Sequence, residues 1–141
     1  MTTKEIIKLA NDVKNLYKHK SVLDIIKSLN YDLIDTNLNE KVYPAYIINY
    51  NGKPCIVLNK HFNQKQRNII AAHELGHALL HKDNFYNEFG HSKNYKQEYE
   101  ANLFAVALLF NQEDFNCNIQ LLDNYELKFI LDYNINKLKS K

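Results

Sequence analysis

Two histidines and a glutamate carry the most specific chemical signal in this chain. His73-Glu74-Leu75-Gly76-His77 sets two imidazoles four residues apart, with a carboxylate directly after the first. Residues four apart on an α-helix lie on one face, one turn above the other. His73 and His77 can therefore offer two ring nitrogens to the same cation. Glu74 points elsewhere around the helix, leaning over the open side of such an ion, where it can reach a bound water. Two ligands on one face with a carboxylate beside them suit the activation of water for hydrolysis. With six His and eight Glu in 141 residues, the expected chance occurrence of this spacing is about 0.014. The competing reading is an amphipathic helix that carries histidines on its polar side.

Those residues need a helix to hold them. Ala71, Ala72, Leu75, Ala78, Leu79 and Leu80 favour one, and nothing β-branched follows Ile70. Asn63 can cap its start, so the helix is expected over about residues 64 to 81. Gly76 is its weak position, at a cost of about 1 kcal/mol relative to alanine, which a close approach by another backbone would explain. His81 is four residues past His77 but a further turn along the axis, so it reads as a helix-end residue behind the ligands.

A catalytic zinc takes three protein ligands and keeps a fourth position for water. The third ligand must come from another element. Tyr95 to Phe110 reads as a second helix that starts polar and ends almost wholly apolar, as a buried helix does. Its acids, Glu98 and Glu100, are the candidates. They lie about 160° apart around the helix at 100° per residue, so they cannot both ligate one ion. Glu98 and Asn102 share a face, and Ala101 and Ala105 beside them permit close approach to the first helix. The loop from Lys82 to Asn94 holds His91, which reads as a surface histidine with a lesser claim to stabilising an oxyanion.

The remaining chain supplies a scaffold. Thr3 can cap a helix to about His19 whose apolar stripe is Ile6, Leu9, Val13, Leu16 and Tyr17. Ser21 opens a shorter helix that ends near Asn30, with Asp24 as a capping-box-like acid. Strands are expected at Tyr31 to Ile34, Tyr43 to Tyr50 and Pro54 to Leu58, the last two joined by an Asn51-Gly52 hairpin turn. Pro44 suits a strand start or an edge. Asn111 to Asn118 reads as a polar turn. A last helix runs from about Tyr125 to Leu138, capped by Asp123 or Asn124, with a frayed Lys-rich tail. The expected architecture is α+β: one domain over 1–141, with a small antiparallel sheet packed on the two central helices.

Composition limits the alternatives. Hydrophobic content of 45% and charged content of 24% are those of a soluble globular chain. A net charge of +2 is too small to argue for nucleic acid or a membrane surface. Cys55 and Cys117 form no C-x-x-C pair, and two cysteines make no disulfide framework. There is no signal peptide, membrane-length apolar run or internal repeat, so a cytoplasmic monomer is expected.

The run His73-Glu74-Leu75-Gly76-His77-Ala78-Leu79-Leu80-His81, followed by Glu98-Tyr99-Glu100-Ala101-Asn102-Leu103-Phe104-Ala105, resembles the ImmA/IrrE family of metallopeptidases. Gly52 to Asn59 is also similar, as are the two leading helices, over roughly residues 20 to 110. The resemblance implies a zincin-like fold with Zn2+ held by His73, His77 and Glu98. It implies Glu74 as general base and Asn102 as a partner to a ligand histidine. Glu100 remains the reserve ligand. Family members cleave helix-turn-helix repressors of mobile elements, phages or stress regulons, and the resemblance suggests such a protein substrate here. Phe110-Asn111 replaces an expected Met-Pro. The chain has no room for a fused helix-turn-helix region, so it is not expected to bind DNA itself. The runner-up is a non-catalytic metal-binding module that acts by binding a partner, with a small toxin ranked below it. Manganese or iron also suits two histidines and a carboxylate.

Overall fold

A computed structural model describes residues 1–39, 41, 44–81 and 94–138. The expectations for Tyr43, for the 82–93 stretch with His91, and for the tail at 139–141 lie outside the described residues. The fold is α+β. Its elements are α1 (Thr3–Leu16), α2 (Val22–Ser28), β1 (Asp32–Thr36), β2 (Ala45–Tyr50), β3 (Lys53–Asn59), α3 (Gln64–Leu80), α4 (Tyr95–Leu109) and α5 (Asn124–Lys137), with short 3-10 turns at Gln112–Asp114 and Ile119–Leu121.

The helix ends follow local side-chain chemistry. Thr2, not Thr3, caps α1, because only Thr2 has a carboxylate three residues on: Glu5 N–H donates to Thr2 Oγ1, and Thr2 N–H donates to Glu5 Oε1. Asn63 and Gln66 form the same reciprocal box at the start of α3. Their amides also donate to Leu138 O and Ile135 O at 2.9 Å each, tying the start of α3 to the end of α5. Asn30 ends α2 with a φ of 64°, a left-handed stop that asparagine tolerates.

The sheet departs from the expected pattern in one respect. β2 and β3 form the antiparallel hairpin, with Asn51 at φ 55° and Gly52 at φ 77° in the two-residue turn. β1, however, pairs with β3 and runs parallel to it, giving the order β1-β3-β2 and a mixed sheet. The reason lies in β3, where Cys55, Ile56, Val57, Leu58 and Asn59 are all buried. A continuous apolar run marks a strand covered on both faces and both edges. β3 therefore takes the centre, with β1 and β2 on either side of it.

α4 is the buried centre of the helical layer. Every residue from Glu100 to Leu108 is buried, and α1, α3 and α5 all pack on it. It has no basic residue in its last turn, and Lys14 of α1 supplies one: its ammonium donates to Phe110 O at 2.9 Å and Asn111 Oδ1 at 3.3 Å. α3 meets α4 most closely at Gly76. A Cβ built there would stand 3.1 Å from both Cα and O of Ala101, and 3.3 Å from Phe104 Cδ1. Those first two are backbone atoms of a fully buried helix, so they cannot yield cheaply. We expect Gly76→Ala to lower stability in urea denaturation by about 1 kcal/mol net, since overpacking costs more than the gain in helix propensity.

Candidate functional site

α3 and α4 bring four of the expected residues to one place. The rings of His73 and His77 sit one turn apart and meet edge to face, with centroids 4.7 Å from each other. Glu98, in the first turn of α4, reaches both: Oε2 is 2.7 Å from His77 Nε2, and Oε1 is 3.5 Å from His73 Nε2. One donor atom from each of His73, His77 and Glu98 falls within 4.8 Å of the others, a spread that one cation can span. Among the described residues this is the one such group. Glu100 is not in it. Its carboxylate instead meets His81 Nε2, at the end of α3, at 2.9 Å.

Each imidazole also has a partner behind it. His73 Nδ1 lies 2.7 Å from Asn102 Oδ1, and Asn102 Nδ2 in turn donates to Asn124 Oδ1 at 2.7 Å. With Asn102 Oδ1 toward the ring, His73 donates from Nδ1 and its Nε2 is left to face Glu98. His77 Nδ1 lies 3.0 Å from His81 Nδ1. Asn124 was legible in the sequence only as a possible cap of α5; its place two steps behind His73 depends on how α5 packs against α4.

The electrostatics follow from burial and from these contacts. Glu74 is buried, and among the described residues its Oε2 has no partner. Burial pushes its carboxyl up to about 7; the positive charge of His73 opposes this and the negative charge of Glu98 adds to it. For Glu98, burial is outweighed by the hydrogen bonds from His73 and His77, which hold it down at about 2. His73 is pushed above the ordinary imidazole value because its Glu98 and Glu74 neighbours outweigh burial, whereas burial holds His77 below it. A buried carboxylate oxygen with no partner is costly unless something occupies the space before it. The donor set of two imidazoles and a carboxylate beside it suits a divalent ion.

His73 and Glu98 of the cluster, with Glu74 and Asn102, line a cleft of about 780 Å³. Pro44 and Ala45, at the start of the edge strand β2, form part of its wall, with Ile69 and Ile70 from α3 and Leu131 and Ile135 from α5. The α5 wall had no sequence signal, because Leu131 and Ile135 read simply as part of an apolar stripe.

An α+β fold that brings this donor set to an open cleft has the parts of a metal-dependent hydrolase. The chain belongs to the peptidase family described as the IrrE N-terminal-like domain (Peptidase_M78), whose family model matches residues 26–138. It is also 35% identical over 96 residues to an uncharacterized immunity region protein 2 of Bacillus phage phi105, an alignment covering 66% of this chain and 60% of that protein. The chain thus spans about 60% of the length of that curated relative. No solved structure matches it. Among the described residues, no helix is long and apolar enough to cross a membrane.

Proposed function

We propose that residues 1–141 act as one zinc-dependent endopeptidase that cleaves a helix-turn-helix repressor. The observation that carries this is Glu74 Oε2, buried and, among the described residues, unpartnered beside the His73–His77–Glu98 group. A metal site that only stabilised the fold would have no use for a buried carboxylate there. His73, His77 and Glu98 would hold the ion, which when bound supplies Lewis-acid activation of water and of a carbonyl.

The protein's own residues do the rest. Glu74, with a pKa of about 7, takes a proton from the attacking water at Oε2 and then delivers it to the leaving amine. A base poised near neutral pH can do both. A repressor as substrate is supported by the relative's description as an immunity region protein and by the family resemblance.

The direct test is to incubate the zinc-loaded chain with any helix-turn-helix protein found encoded beside it and to search for fragments by mass spectrometry. Discrete fragments that vanish on chelation support the reading; an intact repressor under conditions of full zinc loading overturns it. The residue behind His73 gives a second expectation. Asn102→Leu should weaken zinc affinity about 10–100-fold, as changes behind a ligand histidine do, in a competition titration with a chromophoric chelator.

A further inference from the structure

The second hydrogen-bond chain behind the site is buried throughout and is not used by the chemistry above. His77, His81 and Glu100 are 5%, 8% and 9% exposed. His77 Nδ1 lies 3.0 Å from His81 Nδ1, and His81 Nε2 lies 2.9 Å from Glu100 Oε1. His81 is the residue that ends α3, its backbone N–H donating to His77 O at 2.8 Å, so its ring is held under that of His77. A carboxylate as buried as Glu100 needs a donor, and His81 is the one it meets.

Proton counting gives this contact a direction. A carboxylate only accepts, so His81 donates from Nε2 to Glu100. A His81 ring that carries one proton is then left with a lone pair on Nδ1. The short Nδ1–Nδ1 contact therefore takes its proton from His77. In the metal-free chain His77 Nε2 meets Glu98 Oε2 at 2.7 Å; once a divalent ion takes the place of that contact, His77 keeps its proton on Nδ1 and carries none on Nε2. This is the form an imidazole must take to ligate a metal.

We propose that Glu100 and His81 are positioning residues that lock His77 in its Nδ1–H form and fix its ring, so that Nε2 stands ready for a divalent ion. The inference rests on the metal-site reading above. Asn102 serves His73 in the same sense, so α4 would set both ligand histidines from two positions two residues apart.

The test measures zinc affinity by chelator competition on the full chain and histidine protonation by 15N NMR. His81→Phe and Glu100→Met should bind zinc about 10–100-fold more weakly than the native chain, with native far-UV circular dichroism. His81→Asn, whose Oδ1 stands near the position of the lost Nδ1 acceptor, should stay near the native affinity. In the zinc-loaded native chain, the 15N shifts should show His81 protonated on Nε2 and bare on Nδ1, a signature that a purely packing role would not produce. Native affinity in a folded His81→Phe variant, or a proton on His81 Nδ1 in the native chain, overturns the proposal. A native chain that binds no zinc overturns the metal reading and this one together, whereas tight binding indifferent to His81 and Glu100 overturns this one alone.

Discussion

Glu74→Gln leaves a chain that still loads zinc but cuts its protein substrate at least about 100-fold more slowly, the usual cost of removing a general base. The glutamine has almost the same shape and cannot take a proton. His73, His77 and Glu98 are unchanged, so ion stoichiometry by atomic absorption should match that of the native chain. Fragment formation over time supplies the rate. Undiminished action on the repressor by this variant would mean that the chain works by binding alone.

The same substitution has a signature in stability that needs no substrate. In the metal-free fold the Glu74 carboxyl is raised from 4.5 to about 7 by burial. A raised carboxyl means that the folded chain holds a proton that the unfolded chain has already released. Its contribution is therefore fully present below pH 4.5 and is lost as pH rises to about 7. Glutamine cannot ionise and should not show that loss. At about 1.36 kcal/mol per pKa unit, the gap between variant and native chain should widen by on the order of 3 kcal/mol between pH 4.5 and pH 8. Urea denaturation across that range in the presence of a chelator measures it. A gap that does not change with pH would mean that Glu74 is not a buried acid.

The second large effect is expected at Glu98. Glu98→Ala removes the carboxylate that approaches both imidazoles. Changes behind a ligand cost about 10–100-fold in affinity, so loss of the ligand itself should exceed that range. The readout is thermal. Zinc at about 100 times its dissociation constant stabilises the native fold by about 2.7 kcal/mol, and the variant should show no rise in melting temperature on adding zinc. Without metal, the native Glu98 carboxyl sits at about 2, below its ordinary 4.5. The stability it contributes is therefore present above pH 4.5 and lost as pH falls toward 2. The variant should lack this acid limb. An equal zinc-induced shift in native chain and variant would place the third ligand elsewhere.

How much of this site could be read from the chain alone depends on the range of the interaction. Helix periodicity is local and rigid, so His73 and His77 four apart had to share a face, and Glu74 had to stand to one side. Capping is just as local, and Asn63 with Gln66 is a sufficient signal for the start of α3. The Asn51-Gly52 turn likewise needs only two residues that accept positive φ. Even local rules left room for a slip by one residue at Thr2 and Thr3, where the position of Glu5 decides.

What the sequence by itself determined, then, was the pair of imidazoles, the carboxylate beside them, the α+β class and the two helices of the site. Tertiary packing decided which acid of α4 reaches His73 and His77, because 98 and 100 differ only in angle about a helix whose rotation is set by its contacts with α1, α3 and α5. It also decided that β1 lies parallel to β3, that Asn124 stands behind Asn102, and that α5 walls the cleft. None of these follows from neighbours in sequence; each is a choice of rotation, edge or face that is fixed only when the buried surfaces of separate elements meet.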